Sequence, residues 1–176
     1  MSAFAEQLTR AIDSADIACL RIAGSDLARI ATIAKSLLAP AQERGVAVLL
    51  DDADLAVKLQ ADGVHLADPS AYAKARRTIG TNGIVGVACP LERHTAMEVG
   101  EAGADYVAFS PNTAPDGIDL VAWWTEMMTV PSVVCGTFDV ATATAFVAAG
   151  ADFLAPAPAI WATPDPLAAI AALIPQ

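Results

Sequence analysis

An Ala-Asp pair stands immediately before a short apolar run four times in this chain, as Ala15-Asp16, Ala61-Asp62, Ala104-Asp105 and Ala151-Asp152, at intervals of 46, 43 and 47 residues. That distance fits two strand–helix units. The recurrence constrains the fold more than any single motif does, because a repeated unit buries its apolar face by stacking on the next. Short apolar runs alternate with longer segments of helical period along the whole chain. The runs predict seven strands, at residues 16–22, 46–50, 63–66, 84–88, 106–110, 132–135 and 153–157.

Between strands, residues 26–44 carry Leu27, Ile30, Ile33, Leu37 and Leu38 at spacings of three and four, against polar Arg29, Lys35 and Gln42. Such a stripe belongs to a helix that covers a sheet. Gly103 and Gly150 stand where a helix end needs a left-handed residue before the chain turns into a strand. Strand, helix, strand in this order predicts a parallel sheet with crossover helices. No G-x-G-x-x-G follows any strand, which argues against a doubly wound dinucleotide-binding sheet. The expected fold is therefore an α/β, TIM-barrel-like repeat of parallel strands. Its first strand is missing, because the first predicted helix, residues 4–13, has no room for a strand before it. The last strand contains Pro156 and Pro158, which have no N–H to donate, so it is expected at an edge. A length of 176 residues, short of the roughly 250 of a regular barrel of this kind, predicts one domain over residues 1–176.

A formal charge of −10 repels nucleic acid phosphates and anionic membrane surfaces, so neither is an expected partner. No run approaches the ~20 apolar residues of a membrane span, and residues 1–10 lack the form of a signal peptide. A cytoplasmic protein is expected. Hydrophobic residues make up 55% and charged ones 17% of the chain, which predicts some apolar surface buried in a homo-oligomer. Cys19, Cys89 and Cys135 form no C-x-x-C pair and read as small buried hydrophobes near strand ends. Neither G-x-S-x-G nor a P-loop occurs, which leaves hydrolase and nucleotide-triphosphatase readings without support.

The run Ala61-Asp62-Gly63-Val64-His65-Leu66, the helix from Ala73 to Gly80, the segment from Glu98 to Phe109 and the segment from Ala148 to Leu154 together resemble the thiamine-phosphate synthase family, which includes the thiazole tautomerases. The resemblance implies a barrel whose members join a pyrimidine diphosphate to a thiazole phosphate, with Mg²⁺ helping pyrophosphate to leave. It also implies where the ligand groups belong.

The family's second strand usually ends Q-L-R-x-K; here Cys19-Leu20-Arg21-Ile22-Ala23 keeps Arg21 and loses the glutamine and lysine. Its third strand ends N-D-R, against Asp51-Asp52-Ala53, and its G-Q-x-D becomes Ala67-Asp68-Pro69-Ser70. The resemblance thus makes Arg21, Asp51, Asp52 and Asp68 ligand-binding candidates, with Asp52 and Asp68 the candidate Mg²⁺ ligands. Gly86-Val87-Ala88-Cys89 stands where the family favours G-V-S, without the serine hydroxyl. The run Ser110-Pro111-Asn112-Thr113-Ala114-Pro115-Asp116-Gly117 lacks the T-x-T-K lysine. Cys135-Gly136-Thr137 keeps one glycine of G-G-I, so Gly136 is a further candidate, while Pro158 falls where a serine and its N–H would hold phosphate. No catalytic residue is assigned.

Simpler roles compete at several positions. Asp51 or Asp52 can be an N-cap for a helix beginning near Ala53, and His65 can be a core histidine. His94 reads as surface. One of Trp123 and Trp124 is expected to pack on the sheet, and Thr137 followed by Asp139 reads as an N-cap with a first-turn acid. The expectation is a transferase-family protein that meets small phosphorylated thiamine precursors, with catalysis impaired or lost. A non-catalytic binding or interaction paralogue on the same barrel is the alternative.

Overall fold

The computed structural model describes residues 3–111 and 114–174. Eight helices and seven parallel strands alternate in the described residues. They are α1 Ala3–Ser14, β1 Cys19–Ile22, α2 Leu27–Gln42, β2 Ala47–Leu50, α3 Ala53–Leu59, β3 Gly63–Leu66, α4 Tyr72–Ile79, β4 Ile84–Cys89, α5 Arg93–Glu101, β5 Tyr106–Phe109, α6 Ala114–Met127, β6 Ser132–Gly136, α7 Val140–Ala148, β7 Phe153–Pro156 and α8 Pro166–Ala172. Short 3₁₀ turns occupy Pro69–Ala71 and Pro158–Ala162. The strands lie in the sheet in chain order, β1 to β7. The seven strands and the leading helix are those expected from the sequence. No described helix is long and apolar enough to cross a membrane.

The first strand is shorter than its apolar run, because the ladder begins at Cys19 opposite Ala47. At the other end β7 stops at Pro156, and Pro158 opens a 3₁₀ turn rather than continuing the strand. Proline suits the first turn of a helix, where its missing N–H is not needed. Only Pro156 therefore bears on the edge argument.

Two compact units divide the chain. The first runs up to Leu66 and includes Ser70–Val85; the second takes Ala67–Pro69 and the residues from Gly86 onward. In the first, Leu8, Ile30, Leu37, Val48, Leu50 and Val64 are buried, and all four residues of β3 are buried, as a strand covered on both faces should be. α2 is shifted on its seam relative to the sequence stripe. It buries Ile30, Ala34, Leu37, Leu38 and Ala41, while Leu27 in its first turn is exposed.

In the second unit Val87, Val107, Phe109, Val121, Trp124 and Phe146 form the core. The Trp124 indole N–H donates to the Val130 carbonyl at 2.7 Å, and the Phe109 ring meets it edge-on with centroids 5.8 Å apart. Truncating such a side chain to alanine costs roughly 3–5 kcal/mol. Trp123, on the next helical position, is half-buried and lies under the Arg93 guanidinium, 4.7 Å from its ring centroid. Cys89 is buried and Cys135 half-buried, but Cys19 is exposed, against expectation, at the same alternating position of β1 as exposed Arg21.

The sequence repeat has a mechanical cause in two places. Asp62 Oδ2 accepts the backbone N–H of Val48 at 2.7 Å. Asp152 Oδ2 accepts the Ser132 N–H at 2.8 Å and its hydroxyl at 3.3 Å. Each carboxylate ties the start of its own strand to the strand before it. Two residues before these aspartates and Asp105 stand Gln60, Gly150 and Gly103, all left-handed, with φ of 59°, 97° and 96°. Other aspartates start helices. Asp26, Asp52, Asp139 and Asp165 are the N-caps of α2, α3, α7 and α8. Asp139, not Thr137, therefore caps α7, its Oδ1 accepting the Thr142 N–H at 2.7 Å.

Candidate ligand-binding site on the first unit

Strand register decides which side chains can meet. Arg21 is the partner of Leu49, and Leu49 is the partner of Gly63. Residues two apart in a strand share a face, so Arg21, Asp51 and His65 lie on one face, with Asp51 and His65 one step further along. Arg21 Nε donates to Asp51 Oδ1 at 2.8 Å, with the two side chains 41% and 30% exposed. Surface ion pairs of this kind stabilise by at most about 1 kcal/mol.

His65 is buried, as the simpler reading of it had it. Burial, and then the Arg21 cation, push its imidazole down to about 4, with Asp51 acting in the opposite sense. It is neutral near pH 7. The face therefore carries one cation and one anion close together beside a neutral ring.

Asp52 follows Asp51 in the chain but has a different task. Its Oδ1 accepts the Leu55 N–H at 2.7 Å and caps α3. It also lines an open surface depression with Leu27, Ala31, Leu55, Asp54 and Lys58. Lys58 was not singled out in the sequence. Its position in the last turn of α3 reads as an ordinary helix-dipole partner, and residues of α2 complete the depression that it lines with Asp52.

The two remaining candidates belong to the second unit. Asp68 is exposed where the chain leaves β3. Gly136 ends β6, and its carbonyl accepts the Ala157 N–H at 2.6 Å. A Cβ on Gly136 would only touch the Phe138 ring at 3.8 Å, so packing does not require glycine there. In the run after β5, Asn112 and Thr113 lie outside the described residues.

Mg²⁺ prefers carboxylate and phosphate oxygens and is usually held by one or two carboxylates plus substrate phosphates. Among the described residues no group of three or more His, Cys, Asp or Glu is disposed to hold a metal ion. Asp52, a hard donor with one oxygen engaged in the cap, fits an ion shared with a bound substrate. A closed protein cage is not what these residues offer.

The family model described as thiamine monophosphate synthase matches residues 1–160. A thiamine-phosphate synthase of Rhodospirillum centenum is 43% identical over 183 residues, covering 96% of this chain and 88% of that protein. One from Hyphomonas neptunium is 38% identical, covering 98% and 86%. Thiamine phosphate pyrophosphorylase from Pyrococcus furiosus superposes with a TM-score of 0.81 at 22% identity, over 98% of this chain and 88% of that one, a likeness of fold. With the family model matched over most of its length and close relatives spanning nearly all of it, this chain belongs to the thiamine monophosphate synthase family.

Proposed function

We propose that this chain binds the family's phosphorylated precursors, a pyrimidine diphosphate and a thiazole phosphate, and joins them slowly or not at all. The observation that carries the reading is the Arg21 guanidinium, exposed at the end of β1 and paired with Asp51. Ala23 and Ala53 stand where the family pattern has a lysine and an arginine. Departure of pyrophosphate concentrates negative charge on its oxygens, and loss of one preorganised electrostatic partner costs roughly 3–4 kcal/mol, or a hundredfold to a thousandfold in rate. Several losses compound. Mg²⁺, when bound, supplies neutralisation of those oxygens, and Asp52 would hold it together with the substrate's phosphates. Arg21 would bind and orient the same phosphates. Asp68 and Gly136 are the candidates on the second unit, and Pro158 contributes no N–H there. The same proposal makes the protein a cytoplasmic homo-oligomer of the transferase family, with residues 1–176 acting as one domain.

The test combines thermal shift with a coupled turnover assay on purified protein. Precursors with Mg²⁺ should raise the melting temperature, since a ligand of the folded state stabilises it, while thiamine phosphate should form far below the family's rate. Turnover at the family's level would sink the impaired-catalysis reading. A non-catalytic interaction protein is the second reading, favoured by the exposed side chains of Leu91, Met127 and Phe153. A melting temperature unmoved by either precursor, with or without Mg²⁺, would decide for it.

A further inference from the structure

Among the described residues Arg21 is held through its Nε. Its Nε donates to Asp51 Oδ1 at 2.8 Å, and the edge formed by Nη1 and Nη2 takes no part in that bond. A guanidinium tethered through Nε has fewer orientations open to it. Its far edge then presents two parallel N–H donors, the geometry that meets two oxygens of one phosphate. An untethered arginine would lose rotamer freedom each time it bound a ligand. His65, packed on the same face and neutral, adds no charge to the pair.

We infer that Asp51 is a positioning residue, holding Arg21 through Nε so that its Nη1/Nη2 edge is presented to phosphate oxygens. The inference rests on the phosphate-binding reading above. It is open to a test of sign. A carboxylate beside a phosphate site repels the ligand by Coulomb's law, so removing it should tighten binding if charge alone mattered. Positioning demands the opposite: removal of Asp51 should weaken binding even though a negative charge has gone.

The experiment is titration calorimetry of inorganic pyrophosphate with Mg²⁺ into the full chain, as wild type, Arg21→Ala, Asp51→Ala, Asp51→Asn and the double alanine variant. Circular dichroism melts confirm that each variant is folded. Arg21→Ala, which removes both donors of the edge, should weaken binding roughly a hundredfold or more, and Asp51→Ala roughly tenfold, the cost of ordering an untethered arginine. Asp51→Asn keeps an acceptor oxygen for Nε and should stay within about threefold of wild type. The double variant should be no weaker than Arg21→Ala, because the two residues act as one unit. Asp51→Ala binding as tightly as wild type, while Arg21→Ala loses binding, would overturn the positioning role and leave the phosphate-binding reading standing. Asp51→Asn as weak as Asp51→Ala would overturn it as well, since Asp51 would then act through its charge. Absence of pyrophosphate binding by the wild type would instead remove the reading on which the inference rests, and the inference with it.

Discussion

Asp62 accepts the Val48 backbone N–H through Oδ2 at 2.7 Å, and the same oxygen takes the Gln42 side-chain amide at 3.0 Å, so one carboxylate joins the start of β3 to β2 and to the end of α2. Asp62→Ala leaves the part-buried Val48 N–H without this acceptor and should destabilise the protein by about 1–3 kcal/mol. The check is a urea titration in which the midpoint falls while the slope is unchanged. Asp152→Ala should behave likewise through Ser132. A midpoint unaltered in both variants would show that the repeat aspartates are not structural ties.

Asp52 serves a helix cap and a proposed ligand site, and the two separate by substitution. Asp52→Ala should cost about 1 kcal/mol of stability through loss of the cap, and Asp52→Asn only a few tenths, since asparagine caps nearly as well. Both should lower Mg²⁺-dependent pyrophosphate binding. Stability measured by urea melts alongside calorimetry distinguishes them. If Asp52→Asn binds as wild type does, Asp52 has no part in holding the ion.

His65 sets a pH dependence of known sign. Its folded value of about 4 lies below the ordinary 6.5, so between these values the unfolded chain takes up a proton that the folded chain refuses. Stability linked to His65 is therefore lost as pH falls from about 6.5 to about 4, by about 3 kcal/mol in all, and changes no further below that. His65→Gln should remove this component. Urea midpoints of wild type and variant, compared at pH 7 and pH 4.5, give the measurement; a difference between them that does not change with pH would contradict the assignment.

Exposed apolar side chains at Leu91, Met127, Val140 and Phe153 motivate the expectation of self-association. Sedimentation at micromolar concentration should show a dimer or larger species, and a monomer alone would count against it. If residues 1–176 act as one domain, unfolding should be a single transition seen alike by tryptophan fluorescence and far-ultraviolet circular dichroism. Two separated transitions would assign independent stability to the two units.

Local chemistry made much of the architecture legible in the sequence. Strand runs are short, apolar and bounded by turn residues, so β3 could be read to the residue and most other strands to within one. The left-handed positions at Gly103 and Gly150 were legible for the same reason, since a backbone preference belongs to the residue itself. Where two local signals competed, the reading slipped. Thr137 and Asp139 are both plausible caps, and the helix start selected Asp139. Leu27 fits the apolar stripe of α2, yet in the first turn it stays about half exposed.

What the sequence by itself determined, then, was the alternation of elements and the set of polar residues left near strand ends, because these depend on neighbours a few positions apart. Tertiary structure decided what those residues do. Arg21 and Asp51 are 30 residues apart, and only the β1–β2 register puts them on one face. Asp62 and Asp152, which looked like punctuation in a repeat, became ties between strands because parallel pairing brings a backbone N–H to each of them. Asp51 and Asp52 were equivalent as letters. The start of α3 separated them, turning one carboxylate to the helix and the other to the arginine, since a helix end accepts a cap at a single position while the adjacent residue remains free to follow the sheet.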